Sequence, residues 1–287
     1  LKRGALRLAA CASLFIATAC DGTEGILVSR GTTPGGDAGS PKAEAGGGSL
    51  GRGSPSPGVS WQAQLSGAVD PTLGVDLFYV DADFQDAAVL SSLRAGGKLV
   101  LCYVSAGTFE PWRDDADDFP ADVVGESLEN YPREQWLDVR DARVREIMRA
   151  RIAAMAGAGC DGVNPSTLEA HLQPSGFDLV RTDIIDYAQW FAAEIHAHGM
   201  SAGLSVSGDL VPDLQSAYDW ALAIDCLSDS GCTPWAPFRQ SGRAVLLVEF
   251  GDATDAPRVC GAASSLGFDA IIKRPAFDGF RVGCSAP

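Results

Sequence analysis

The sequence predicts a (β/α)8 TIM-type barrel for the folded part of the chain. Short apolar runs of strand length recur, helix-length amphipathic stretches separate several of them, and eight such runs can be counted, enough to close a parallel barrel. An open doubly wound sheet built around a dinucleotide is disfavoured, because no G-x-G-x-x-G turn follows the first strand.

The first run, VDLFYVDAD at 75–83, leads into the helix-like FQDAAVLSSLRAGG and then KLVLCYVSAG at 98–107. QWLDV at 135–139 is expected to be the third strand. The amphipathic DARVREIMRARIAAMAGAG ends at glycine, a common helix stop, before CDGVNPS at 160–166. DIIDYAQWFAAEIHAHGM is the next helix and SAGLSVSG at 201–208 the next strand. WALAID at 220–225, RAVLLVEFG at 243–251 and FDAIIKR at 268–274 complete the eight.

The first fifth of the chain has a different character. Residues 1–20 have a basic start, a short apolar run and small residues before Cys20, the pattern of an export signal rather than a membrane span. Ala17-Thr18-Ala19-Cys20 resembles a bacterial lipoprotein box, so Cys20 is the expected lipidation site, with plain secretion as the second reading. Residues 21–58 are expected to form a disordered linker: ten Gly, four Pro and four Ser between Gly31 and Gly58 leave few side chains to offset the entropy of ordering the backbone. The folded domain is placed at 59–287.

From Trp61 onward, 33 Asp and Glu face 16 Lys and Arg, a balance that disfavours nucleic acid and anionic membrane surfaces as partners. A lipid anchor is then the expected membrane contact, and a neutral or cationic ligand the easier one to accommodate. Six Cys follow Cys20, in a chain whose export permits disulfides. Cys226–Cys232 across a short turn and Cys260–Cys284 near the terminus are the expected pairs, while Cys102 and Cys160, inside apolar runs, read as buried thiols. The three His do not cluster with Cys at zinc spacing, and no phosphate loop or nucleotide signature calls for a cofactor. Without a long heptad repeat the oligomeric state stays open.

In a parallel barrel, ligand-facing residues come from the C-terminal strand ends and the loops after them. That rule selects Asp81, Asp83, Tyr103, Ser105, Glu110, Asp138, Arg140, Asp161, Asn164, Glu169, Asp209, Asp225, Glu249 and Lys273. Structural uses compete for several of them. Asp81 or Asp161 would equally fix a loop by accepting backbone hydrogen bonds, and Arg140 would equally do no more than pair with Asp138.

The motifs WQAQLSG at 61–67, CYVSAGTFEPWRDD at 102–115, EQWLDVR at 134–140, CDGV at 160–163, SGF at 175–177 and LLVEF at 246–250 together resemble glycoside hydrolase family 114. That family includes endo-α-1,4-polygalactosaminidases. The resemblance spans nearly all of 60–284 and implies a TIM-type barrel acting on polymers that contain galactosamine.

The departures from the family pattern fall where its chemistry resides. Where the family continues after Gly-Val with an acid, Pro, Asp and Asn, this chain reads Asn164-Pro165-Ser166-Thr167, and its next acid is Glu169. The family's Leu-Lys-Asn stands here as Leu204-Ser205-Val206. Its Asn-Glu-Gln-Cys stands as Ala223-Ile224-Asp225-Cys226. The resemblance thus puts Ser166 and Ile224 at the proposed catalytic Asp and Glu. Glycosidic cleavage ordinarily needs one carboxyl to protonate the leaving oxygen and another as base or nucleophile. A serine binds a sugar hydroxyl but supplies no acid near neutral pH, and an isoleucine does neither. Asp225 adjoins position 224, but on a continuing strand it faces the other way.

The expected function is an exported barrel that binds a galactosamine-containing polysaccharide with weak or lost hydrolysis. Its binding set comprises Asp81, Asp83, Tyr103, Ser105, Glu110, Asp138, Arg140, Asn164, Ser166 and Glu249. An active glycosidase with relocated acids drawn from Asp161, Glu169, Asp225 and Glu249 is the alternative, and a non-catalytic surface or assembly protein is the third reading.

Overall fold

The computed structural model describes residues 53–85, 87–227 and 231–284. The expected signal segment, Cys20 and the linker as far as residue 52 lie outside the described residues. In chain order the barrel begins with β1 (Trp61–Gln64), β2 (Leu77–Asp81), α1 (Ala87–Ala95) and β3 (Leu99–Ser105). An insertion follows, with β4 (Thr108–Phe109), β5 (Val124–Ser127) and β6 (Gln135–Leu137). The barrel resumes with α2 (Ala142–Ala158), β7 (Gly162–Ser166), α3 (Arg181–Ala197), β8 (Ser201–Leu204), α4 (Val211–Leu214), β9 (Trp220–Ile224), α5 (Ala236–Gln240) and β10 (Val245–Phe250). α6 (Ala256–Leu266), β11 (Asp269–Lys273) and β12 (Val282–Gly283) end it.

Among the described residues, β1, β2, β3, β7, β8, β9, β10 and β11 pair side by side in parallel, the arrangement expected of a (β/α)8 barrel. β12 adds to β11 in antiparallel register, Ile271 opposite Gly283. At the seam between β11 and β1 the Trp61 indole donates to the Asp269 carbonyl at 2.8 Å, and Arg281 donates to the Trp61 carbonyl at 2.6 Å.

One strand differs from the sequence-based expectation. Residues 135–137 belong to a small antiparallel sheet, β4-β6-β5, and the eighth barrel strand is Trp61–Gln64. The polar letters of WQAQ concealed it, yet all four residues are buried. Gln62 and Gln64 satisfy their amides on the carbonyls of Gly279, Ser66 and Ala68, so two glutamines stay buried without an orphan donor.

Period-2 alternation sorts the strand residues into two cores. Trp61, Ala63, Leu77, Tyr79, Leu101, Trp220, Leu222, Leu246, Val248 and Ile271 fill the barrel interior. Their outward neighbours Phe78, Val80, Val100, Val163, Ala221 and Leu247 pack with residues of the surrounding helices. α3 shows why those helices fit: Ile184, Tyr187, Ala188, Phe191, Ala192 and Ile195 recur at helical spacing and are buried. α2 starts at Asp141, whose carboxylate accepts from the Arg143 amide, and stops at Gly159 with φ 94°, a left-handed cap that suits glycine. Inside the barrel the Trp220 ring occupies the space that a Cβ on Gly203 would enter, at 2.3 Å.

Among the described residues, three disulfides form. Cys226–Cys232 and Cys260–Cys284 match the expected pairs. Cys102 and Cys160, expected as free buried thiols, are joined as well, with Cα atoms 5.9 Å apart. β3 and β7 are barrel neighbours although the insertion separates them in sequence, so parallel pairing brings the two sulfurs together. Closing a span of 58 residues stabilises by about 4 kcal/mol on the chain-entropy account.

Candidate functional site

The C-terminal strand ends converge on a cavity of about 820 Å3. Tyr79 and Tyr103 line it from β2 and β3, and Ser166, Thr167 and Glu169 from the end of β7. Ser205 through Asp209, Leu222, Ile224, Trp235 and Phe277 form the far wall, while the insertion contributes Leu128, Tyr131 and Glu134. The loops after β3 and β7 touch where Gly107 passes the Thr167 carbonyl: a Cβ on Gly107 would lie 1.8 Å from that oxygen, which only glycine avoids.

Beside this cavity, Tyr79 donates to Asn164 Oδ1 at 2.9 Å, and Asn164 Nδ2 donates to the Gly203 carbonyl at 2.8 Å. All three residues are buried, so Asn164 is occupied in joining neighbouring strands. Burial pushes the Tyr103 phenol well above its usual range, and it remains a neutral hydrogen-bonding group.

Among the described residues, three carboxylate side chains line the cavity. Glu169 follows β7; burial pushes it up to about 7, and the nearby Asp209 charge adds to this against the pull of the backbone amides of Glu169, Leu168 and Ser207. Asp209 lies 3.6 Å from Arg181 and 3.8 Å from His171, whose two ring nitrogens are buried without a hydrogen bond. Glu134 accepts from the Thr108 hydroxyl at 2.9 Å and is raised by burial. Ser105 contacts that same Thr108 hydroxyl, so its place is behind Glu134 rather than in the cavity lining.

The elevated Glu169 carboxyl has a measurable consequence. A carboxyl raised in the fold above its unfolded value holds a proton that the unfolded chain has already released, so stability falls as pH rises from about 4.5 to about 7. Glu169→Gln is expected to remove this component and to be more stable than the parent at pH 8 by about 1–3 kcal/mol, while the two converge near pH 4. Urea unfolding of both proteins across that range measures it. Parallel curves for parent and variant would contradict it.

The other predicted residues are placed as follows. Asp81, Asp83 and Glu110 surround Arg113, at 2.8, 2.7 and 2.8 Å. Asp81 and Glu110 are buried and raised by that burial, with the guanidinium opposing the shift. Asp138 and Arg140 pair with each other at 2.8 Å, away from the cavity lining. Asp161 precedes β7, at the end of the barrel opposite the mouth, and its carboxylate accepts from the Val100 amide at 2.9 Å. Asp225 follows β9 with φ 53°, and its neighbours Ile224 and Cys226 face the cavity instead. Glu249 is fully buried and accepts from the Leu227 amide at 2.8 Å, fixing the loop after β9. Lys273, lowered by burial to about 8, donates to Gln62 Oε1 at 3.3 Å and to the Asp278 carbonyl at 2.6 Å. The structure therefore brings Tyr103, Ser166, Glu169 and Asp209 to one cavity and uses the others in and around the strand ends.

Sequence reasoning missed Glu134, Tyr131 and Arg113. Glu134 opens the EQWLDVR motif, and Arg113 stands three residues after Glu110, a spacing at which charges meet across a turn. Among the described residues, no group of His, Cys, Asp or Glu is arranged to hold a metal ion.

An acid-lined cavity at the C-terminal mouth of a (β/α)8 barrel is an architecture shared by many glycoside hydrolases. Residues 43–287 match the model of glycoside-hydrolase family GH114, and the chain belongs to that family. The crystal structure of Aspergillus fumigatus Ega3 in complex with galactosamine is similar over 83% of this chain and 100% of that one, at 29% identity and a TM-score of 0.78. The glycoside hydrolase domain of PelA from Pseudomonas aeruginosa shares the fold at 16% identity and a TM-score of 0.65, covering 80% of this chain and 99% of that one. No curated protein sequence matches the chain.

Proposed function

We propose that the barrel mouth binds a galactosamine-containing polysaccharide and cleaves it weakly or not at all. The observation that carries the binding half is one cavity combining the carboxylates of Glu134, Glu169 and Asp209 with the rings of Tyr103 and Tyr131. Carboxylates attract the ammonium group of a deacetylated amino sugar, and aromatic rings offer an apolar face to the sugar ring. Family membership and the similarity to Ega3, which was crystallised with galactosamine, support the same ligand class.

The reading of weak turnover rests on Ser166 and Ile224. Both face the cavity from strand ends, at the positions that resemble the family's catalytic acids, and neither transfers a proton near neutral pH. One observation favours the competing reading of an active glycosidase. Of the candidate relocated acids Asp161, Glu169, Asp225 and Glu249, Glu169 lines the cavity, and its elevated carboxyl is suited to donate a proton.

Attachment to a membrane through Cys20 belongs to this proposal, and one feature is compatible with it. The described chain starts at the barrel end opposite the mouth, where Ser201 Oγ donates to the Gly53 carbonyl at 3.1 Å and the Gly58 amide donates to Asp269 at 2.8 Å. Mass spectrometry of the mature N-terminus tests the lipid, and an unlipidated product cut elsewhere would refute it.

The main test incubates the purified protein with partly deacetylated galactosamine polymer and measures bound polymer and released reducing ends separately. Salt-sensitive binding with little release is expected. Rapid release that Glu169→Gln abolishes would transfer the assignment to the active glycosidase, and absence of binding to any amino-sugar polymer would overturn both.

A further inference from the structure

A cavity of about 540 Å3 also opens at the base of the barrel, at the N-terminal strand ends where Trp61 begins β1 and Asp269 begins β11. Among the described residues its charged lining is Arg239, Arg281 and Asp269, two cations to one carboxylate. That local excess of positive charge stands out in a domain whose 33 Asp and Glu outnumber its 16 Lys and Arg. We propose that this cavity binds a phosphate group that still carries a proton, either the free ion or the headgroup of a phosphomonoester lipid. The site lies at the opposite end of the barrel from the mouth and does not depend on the carbohydrate reading.

The donors are in place and lack acceptors. Arg239 reaches the cavity from the last turn of α5, and its Nε is sealed from solvent with no acceptor among the described residues. A buried donor left in that state costs stability, so the wall is incomplete until something accepts from it. Arg281 donates from Nε to the Trp61 carbonyl at 2.6 Å, which orients the guanidinium and leaves its terminal nitrogens for a ligand. Both groups lie against glycine. A Cβ would stand 3.0 Å from Arg239 Nε at Gly267 and 2.3 Å from an Arg281 terminal nitrogen at Gly283. The Cys260–Cys284 disulfide ties α6 to the residue after β12, so the wall that carries Gly283 is held in place. Guanidinium groups suit phosphate because their parallel donors meet two oxygens at once.

Asp269 decides which oxyanion fits. Its Oδ1 accepts from the Gly58 amide at 2.8 Å, while Oδ2 is sealed with no donor. Burial pushes the carboxyl up to about 6, against the pull of the Gly58 amide and the Arg239 charge. Near neutral pH Oδ2 therefore needs a donor, which a fully deprotonated anion does not bring. Free phosphate keeps a proton there and a phosphomonoester loses its last one at about pH 6, whereas sulfate carries none. One ligand thus supplies the acceptor that Arg239 lacks and the donor that Asp269 lacks. Because Nε and Oδ2 are shielded, binding turns these side chains onto the ligand while the backbone stays in place.

Inorganic phosphate and sulfate are titrated into the purified parent, Arg239→Gln, Asp269→Asn and Arg258→Gln by calorimetry near pH 6.5 at constant ionic strength, with thermal unfolding as the folding control. The parent should bind phosphate about 10-fold more tightly than sulfate, or better. Arg239→Gln should weaken phosphate binding about 10-fold, while Arg258→Gln, on α6 but outside the lining, should stay within about twofold of the parent. Asp269→Asn puts a donor-bearing amide where the acceptor was and should bring the two anions within about threefold of each other. In the parent, the Arg239 Nε–H proton resonance should shift on adding phosphate, a readout that survives if a variant does not fold. Sedimentation with phosphatidylcholine vesicles, with and without phosphatidic acid, separates the two sources. Capture that requires phosphatidic acid and is reversed by inorganic phosphate places a lipid headgroup in the site, and phosphate binding without capture assigns it to the free ion. No binding of phosphate in either form, equal affinity of the parent for sulfate, or equal losses in Arg258→Gln and Arg239→Gln would overturn the proposal.

Discussion

Ser166→Asp combined with Ile224→Glu should raise the release of reducing ends from galactosamine polymer by about 100-fold or more, with polymer binding changed only a few-fold. A positioned acid and base typically contribute factors of 10² to 10⁴ each. Both positions lie on inward-facing strand ends, Ser166 in line with Gly162 and Asn164 on β7, Ile224 in line with Trp220 and Leu222 on β9. One strand, β8, separates them, so their backbones are about 10 Å apart at ordinary strand spacing. Side chains converging from that separation bring two carboxyl groups into the window of about 5–9 Å that glycosidic cleavage uses. Ile224 is already 40% exposed and Ser166 is partly exposed, so new charges there meet little desolvation cost. Each single replacement should achieve little, because the two groups act as a unit. A folded, polymer-binding double variant no faster than the parent would show that these positions are not where the chemistry was lost.

Arg113→Met should destabilise the domain by about 3–5 kcal/mol, the cost of leaving buried charges without their partner. Arg113 is 5% exposed at its side chain, as buried as the Asp81 and Glu110 carboxylates it joins. Removing it leaves two acids already raised by burial without the cation that keeps them charged. The loss should therefore shrink on acidification, since a carboxyl with a raised folded value gains a proton in the fold before it does in the unfolded chain. Chemical unfolding at pH 7.5 and pH 5 measures this, and Arg113→Met/Asp81→Asn/Glu110→Gln should recover most of the loss by removing the charges together. If the single variant does not fold at pH 7.5, the triple variant supplies the comparison. An Arg113→Met domain as stable as the parent at pH 7.5 would mean that solvent reaches this cluster.

The same cluster shows how the local pattern identified the right residue types without assigning their roles. Asp81, Asp83 and Glu110 follow strand ends, as a barrel's ligand groups do, but nothing local announced that one arginine from the insertion would gather all three. Asp161 shows a different limit. It adjoins a strand as Ser166 does, yet it stands at the opposite end of that strand, and a shift of five residues moves a side chain from the mouth to the base.

The barrel itself was determined by the sequence: alternating apolar runs, amphipathic helices such as Arg181–Ala197 and stop glycines such as Gly159 are local signals, set by strand and helix periods and by backbone sterics. Cys226–Cys232 and Cys260–Cys284 were legible for the same reason, since their partners are 6 and 24 residues apart. Tertiary structure alone decided that WQAQ closes the barrel while QWL leaves it, that Cys102 meets Cys160, and that Glu134 from the insertion joins Glu169 and Asp209 at the mouth. These outcomes depend on which strands become neighbours and on which end of each strand faces the mouth. Parallel pairing sets both through contacts between residues far apart in the chain, where no short-range period carries the information.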